Sequence, residues 1–394
     1  MKRITALILA AAMIMTMLTA CGAKKPIDTD ENHHILYFKD KNKSENAVAT
    51  FFNSDSEESQ DIPMIKVAED DDSFTFVCEG NCADYNMAYV TCGSMHTKTF
   101  AFNKCVSGWY NSDLGFLPYT QGEEIDYYPE FDDIELPFNG CNKTIHVWTP
   151  DDYNPNSMER YAVIYALDSP GMVNLGKKCQ NPKDCCNLTI QAKSMMETIG
   201  YRTIIVAIDT FGDMTACSRD DELVPDIGAT PSEPMHKQML GNELSDFISG
   251  TVVPYIKDNY NVYHDPLHTS IAGISLSGLE AFYITMEHPE QFGTVGAFSP
   301  SFHMYDDNSW RSYLEKKNFN GEMPFIYLYT GEEGGDTDPY VTQMYDRLLE
   351  MDYPKKKITL HYNEWGMHTD TYWTGVFPEF LEAMVYRYVE PLQK

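Results

Sequence analysis

The hydrophobic rhythm of the chain changes several times along its length. The first twenty residues run from a basic start (Lys2, Arg3) through an apolar stretch, Ile4 to Leu18, to the small residues Thr19 and Ala20 before Cys21. That order predicts a secretory signal over 1–20 rather than a fold element. The apolar run is shorter than the ~20 residues a membrane-spanning helix needs. Residues 21–72 are polar and acidic, ending in Asp70, Asp71 and Asp72. Their composition predicts a flexible acidic tether, interrupted by a short apolar patch from Ala47 to Phe52. Across 73–148 the pattern turns to short stretches rich in β-branched and aromatic residues: Phe74 to Val77, Met87 to Thr91, Thr97 to Phe102 and Thr144 to Trp148. Gly, Asn, Asp and Pro separate them, the spacing of a small β-rich module.

Residues 149–394 alternate apolar strands with helical patterns, which predicts a mostly parallel sheet covered by helices on both faces, the doubly wound α/β class. The expected strands are Tyr161 to Leu167, Thr203 to Ile208, Thr269 to Gly273, Thr294 to Phe298, Phe325 to Tyr329 and Ile358 to Tyr362. Unbroken apolar runs such as Thr203-Ile204-Ile205-Val206-Ala207-Ile208 fit strands buried on both sides. Helical spacing covers Leu244 to Asp258, Leu279 to Glu287, Val341 to Met351 and Phe377 to Tyr388.

Charge narrows the partners. A formal net charge of -30 argues against nucleic acid, whose binding depends on cations neutralising phosphates. It says nothing about the reaction. Of ten cysteines, Cys21 stands at the end of the signal, and the odd number remaining leaves at least one thiol without a partner in the chain. An exported protein can keep disulfides, with Cys78–Cys82, Cys92–Cys105 and Cys179 with Cys185 or Cys186 as options. No histidine is interleaved with the close cysteine pairs, so no metal site is expected.

The stretch Ile271-Ala272-Gly273-Ile274-Ser275-Leu276-Ser277-Gly278 lies between a predicted strand and a predicted helix. A nucleophile elbow needs that place, because the sharp turn pushes the serine hydroxyl out at the end of the sheet. The pattern G-x-S-x-G is met loosely, with Ser277 in the place of the last glycine. A serine nucleophile also needs a base, and an acid to hold the imidazole, in the order Ser, Asp/Glu, His for this layout. After the strand at Phe325 to Tyr329 comes Thr330-Gly331-Glu332-Glu333-Gly334-Gly335-Asp336, and after the strand at Ile358 to Tyr362 comes Trp365-Gly366-Met367-His368. All fall at carboxyl ends of strands, where reactive groups gather in open α/β sheets. Ser275 and His368 are thus the nucleophile and base candidates. Asp336 and Glu333 compete for the acid, with Glu332 and Asp338 behind them.

Two resemblances add to this reading. Leu18-Thr19-Ala20-Cys21 resembles the lipobox of bacterial lipoproteins, which implies a lipid on Cys21 and an extracytoplasmic, membrane-anchored protein whose only membrane contact is that lipid. From about Trp148 to the C-terminus the chain is similar to the putative esterase family of α/β-hydrolases, the group of esterase D-type, enterochelin-esterase-like and feruloyl or acetyl-xylan esterases. The similarity rests on Tyr161 to Asp168, Arg219 with Glu222-Leu223-Val224-Pro225, Phe292-Gly293 with Ser299-Pro300-Ser301, and Gly366-Met367-His368 with Tyr372-Trp373. It implies Ser275 as nucleophile, His368 as base and Asp336 as the favoured acid, the loop before it departing from the family's shorter turn. The oxyanion hole then uses the N–H of Leu276 and, since Pro170 has no N–H, that of Ser169. The implied activity is serine-based hydrolysis of a small ester or an acylated polysaccharide without metal or organic cofactor. An acyltransferase of the same fold and a non-catalytic binding lipoprotein are the alternatives.

Overall fold

The computed structural model describes residues 33–389, apart from 54–55, 57, 70–72, 82, 94, 98, 102–107, 112–114, 119–128, 174–187, 190–191, 194–201, 211–217, 233–237, 318–322, 333–335 and 364–365. Cys21, Glu333 and the cysteines at 82, 105, 179, 185 and 186 lie outside the described residues. The chain divides into two compact units, Met1–Tyr128 and Pro129–Lys394.

The first unit holds β1 (His33–Asp40), β2 (Ala47–Phe52), β3 (Ser59–Pro63), β4 (Ile65–Glu69), β5 (Phe74–Asn81), β6 (Met87–Cys92), β7 (Met95–His96), β8 (Phe100–Ala101), β9 (Gly108–Asn111) and β10 (Gly115–Pro118). One sheet runs β10-β9-β1-β5-β4; a second runs β3-β2-β6-β7, with β8 on β6. Leu36 and Phe38, Ala47, Ala49 and Phe51, Phe76 and Cys78, and Ala88 and Val90 repeat every second residue and share one core. That period is the signature of strands with one buried face. The expectation of a tether across 21–72 is therefore corrected between 33 and 69. Acidic residues colour the composition there, but Asp40 turns its carboxylate onto the N–H groups of Asn42 and Ser44, and the residues between the turns are strand formers. Cys78 and Cys92 are buried free thiols, which removes the options Cys78–Cys82 and Cys92–Cys105. Burial drives both thiols upward, Cys92 to about 12.

The second unit is built on β11 (Asp132–Phe138), β12 (Cys141–Trp148), β13 (Ala162–Leu167), β14 (Thr203–Ile208), β15 (Thr269–Ile274), β16 (Thr294–Phe298), β17 (Phe325–Gly331) and β18 (Ile358–Asn363). Their order is β11-β12-β14-β13-β15-β16-β17-β18. From β14 to β18 all pairs are parallel, and β11 and β12 add an antiparallel edge. This moves the boundary expected at 148/149. Thr144 to Trp148 joins the main sheet through Val147↔Val206, because Asn139 and Gly140, both at positive φ (48° and 82°), close a two-residue hairpin that turns β11 onto β12.

Parallel strands buried on both faces need apolar residues on both. Val163, Tyr165 and Leu167 enter one core, Ile164 and Ala166 the other. Helices on these faces include α1 (Ser169–Met172), α2 (Arg219–Glu222), α3 (Gly241–Phe247), α4 (Val253–Asn259), α5 (Leu276–Glu287), α6 (Asp307–Leu314), α7 (Tyr340–Glu350) and α8 (Asp370–Val389). A π-turn at Ile248–Val252 links α3 to α4. The architecture is an α/β-hydrolase-type sheet preceded by a β-rich module.

Candidate active site

Neighbouring parallel strands end in the same way. Asp168 follows β13 at φ 62°, Ser275 follows β15 at φ 59° and Ser299 follows β16 at φ 44°. Non-glycine residues rarely adopt this backbone, and each instance costs on the order of 1–3 kcal/mol, so hydrogen bonds must hold it. Ser275 donates its N–H to Phe298 O (2.9 Å), and Ser299 donates to Tyr329 O (2.8 Å). The sharp turn at Ser275 brings strand and helix so close that a Cβ on Gly273 would sit 2.1 Å from Ser277 O, hence the glycine. Ser277 is fully buried. Its Oγ donates to Ile274 O (2.7 Å) and accepts from Ile274 N (2.9 Å). The loose end of the motif is thus a serine that ties the elbow to the strand end.

The acid loop and the histidine loop touch backbone to backbone. A Cβ on Gly331 would lie 2.2 Å from Gly366 O, and one on Gly366 would lie 2.6 Å from Tyr329 Oη. This apposition brings His368 Nδ1 to 2.9 Å from Asp336 Oδ1. Asp336 is buried and its carboxylate is otherwise saturated. Oδ2 accepts from Gly331 N (2.6 Å) and Ser299 Oγ (2.9 Å), and Oδ1 from Thr337 N (2.8 Å). Trp373 Nε1 donates to Ser299 Oγ (2.8 Å), and its ring meets the His368 ring edge to face at 4.8 Å. With Nδ1–H given to the carboxylate, Nε2 keeps its lone pair. His368 is partly exposed, its side chain at 33%.

Among the described residues, the other acids of this loop are engaged elsewhere. Glu332 accepts from Tyr362 Oη (2.5 Å), and Asp338 from Thr342 Oγ1 (2.6 Å). Ser275 Oγ lies 3.4 Å from Ser301 Oγ, a long contact for two hydroxyls. Among the described residues no hydrogen bond joins Ser275 to His368, a separation common in sites without substrate. The structure thus joins Asp336 to His368 and leaves Ser275 paired with Ser301.

Leu276 and Ser169 are the first residues of α5 and α1, where N–H groups have no intrahelical acceptor. Beside Ser169 stands a cluster that sequence reading does not assemble. Asp168 Oδ2 accepts from Arg219 Nε (2.7 Å) and Nη2 (2.6 Å), and Oδ1 accepts from Thr210 Oγ1 (2.7 Å). Arg219 opens α2, which a Ser218–Asp221 capping box starts. Glu222, at the other end, meets Lys143 Nζ of β12 at 2.6 Å in a fully buried pair. Burial holds the Glu222 carboxyl above its ordinary range against the pull of that ammonium. Arg219 is visible in the sequence as part of a resemblance; Thr210 gives no signal there, since only the fold brings the end of β14 beside Asp168.

Comparison with known proteins agrees with this architecture. The family described as Putative esterase matches residues 138–383, more than half of the chain, and the chain belongs to that family. Bacillus subtilis (strain 168) YbbA, an uncharacterized protein, is 23% identical over 147 residues, 35% of this chain. The match spans only 57% of that relative's length. Among solved structures, the siderophore hydrolase EstA from Aspergillus nidulans superposes with a TM-score of 0.51 at 14% identity, covering 68% of this chain and 98% of that one. Enterochelin esterase from Shigella flexneri gives 0.50 at 15% identity, covering 93% and 95%. At such identities the likeness is one of fold. The family match and the fold likeness agree on an α/β-hydrolase-type architecture.

Proposed function

We propose that the protein hydrolyses carboxylic esters through Ser275, with His368 as general base and Asp336 as the acid that orients it. The observation carrying this reading is the 2.9 Å pair between His368 Nδ1 and a buried Asp336 Oδ1, on loops beside the left-handed turn at Ser275. His368 Nε2 takes the Ser275 proton as Oγ bonds to the ester carbonyl carbon. The carbonyl electrons move onto oxygen, and the N–H groups of Leu276 and Ser169 stabilise that oxyanion. Its collapse breaks the bond to the alcohol, which leaves with the proton from His368. Water, deprotonated by His368, then releases the acid and regenerates Ser275.

The substrate in this reading is a small ester or an acylated polysaccharide. Cys21 carries a lipid that anchors the protein outside the cytoplasm, a proposal resting on the sequence Leu18 to Cys21. A second reading, a binding protein on the same scaffold, draws on the missing Ser275–His368 hydrogen bond.

Hydrolysis of p-nitrophenyl acetate and butyrate, methyl ferulate and acetylated xylan by residues 22–394 tests the first reading. Turnover that disappears in Ser275→Ala is the expected result. Absence of turnover on every ester supports the binding protein.

A further inference from the structure

The loop after β13 holds a polar group that the hydrolytic cycle leaves idle. Ser169 has no exposed surface, and its Oγ is buried without a hydrogen-bond partner. Such a hydroxyl is costly to keep, because burial strips its water without replacing the hydrogen bond. Its loop follows the strand that neighbours the one ending at the nucleophile. β13 pairs with β15 in parallel from Val163↔Thr269 to Ala166↔Ala272, and Ser169 and Ser275 both lie just past the carboxyl ends of these two neighbouring strands. Strands so paired lie about 4.8 Å apart. The turn is also braced, since Asp168 keeps its left-handed backbone while Arg219 and Thr210 bind both of its carboxylate oxygens.

We propose that the Ser169 hydroxyl is a third oxyanion donor, supplementing the N–H groups of Leu276 and Ser169. The inference rests on the esterase reading. A change of χ1 between staggered wells re-aims the hydroxyl, which then donates its proton to the oxygen that becomes negative in the tetrahedral state. No bond to Ser169 forms or breaks. An orphan hydroxyl is unrewarded in the resting protein and acquires its partner only when charge develops, so its effect falls on kcat rather than on KM. The loop's lack of an N–H at Pro170 gives a side-chain donor a reason to be there.

The test compares wild type, Ser169→Ala and Ser169→Thr on p-nitrophenyl butyrate, with Ser275→Ala as the control for serine-dependent turnover. Ser169→Ala is expected to lower kcat by about 10- to 100-fold, with KM within threefold of wild type on the order expected for transition-state-only contacts. Affinity for phenylboronic acid, which forms a tetrahedral adduct on the serine, falls in parallel. The melting temperature stays level or rises, because removing an unpaired buried hydroxyl relieves a cost. Ser169→Thr, which keeps a hydroxyl, recovers part of kcat. Unchanged kcat and boronate affinity in a folded Ser169→Ala protein overturn the proposal, as does a loss confined to melting temperature. A wild type without Ser275-dependent turnover overturns the esterase reading itself, and this inference with it.

Discussion

Asp336, in the loop after β17, and Glu280, in the middle of α5, are both buried carboxyl groups, yet the chain surrounds them in opposite ways. Asp336 accepts from Gly331 N, Ser299 Oγ, Thr337 N and His368 Nδ1. Neither oxygen of Glu280 has a hydrogen-bond partner. Glu280 presses on the start of α3, where a Cβ on Gly241 would lie 2.6 Å from its Oε2 and from Pro225. Burial alone raises its carboxyl well above the ordinary range, which favours the uncharged acid. A cage of donors satisfies the carboxyl oxygens at Asp336, whereas burial without donors favours the neutral acid. Burial by itself therefore does not mark the functional acid. The donors do.

The largest effect expected from this contrast is on activity. Asp336→Asn keeps the shape but no longer holds Nδ1–H, and kcat should fall by about 10,000-fold, while Glu332→Gln and Asp338→Asn stay near wild type in the same assay. Equal losses at all of these positions would erase the distinction among the loop acids. Next comes the loop apposition. Gly366→Ala puts a methyl against Tyr329 Oη and Gly331 Cα, which moves His368, and steady-state kinetics should show a loss of about 100-fold in kcat. Smaller again is Ser299→Ala, which removes one donor to Asp336 and the acceptor of Trp373 Nε1. A hydrogen bond to a charged group contributes about 1.5 kcal/mol or more, so roughly tenfold in kcat is expected.

The remaining effect falls on stability and leaves activity aside. The folded carboxyl of Glu280 titrates above its unfolded value of 4.5. Below that value both states hold the proton and Glu280 adds no pH dependence. Above it the unfolded chain releases the proton and the folded one does not, so stability falls as pH rises, by up to about 1.4 kcal/mol per pH unit until the folded group ionises. Urea unfolding of wild type against Glu280→Gln from pH 5 to 8 should show the variant gaining on wild type as pH increases. A constant difference across that range would mean that Glu280 has found a partner.

The same contrast explains what the sequence could and could not reveal. The strands from Thr203–Ile208 to Thr294–Phe298 are legible because burial on both faces writes an unbroken apolar run. Ser275 is legible as a position because it follows such a strand, and His368 because its loop follows β18, the half-exposed edge strand. Asp336 is not separable from Glu332 and Asp338 by pattern, because the difference lies in partners from other loops: Tyr362 and Thr342 occupy the rivals, while Ser299 and His368 meet Asp336. Glu280 gives no signal at all, as a glutamate in a helix normally faces water. The strands between His33 and Glu69 are hidden by acidic turns that dominate the composition but not the alternation. Ser277 looks like a defect in a glycine motif until its hydroxyl is found bonded to both backbone groups of Ile274.

The central claim is that Ser275 is an activated nucleophile. Fluorophosphonate labelling of residues 22–394, with the modified peptide identified by mass spectrometry, tests it most directly. A single adduct on Ser275, absent in Ser275→Ala and strongly slowed in His368→Ala, is the predicted result. No adduct, an adduct on another residue, or labelling that ignores the loss of His368 would contradict it.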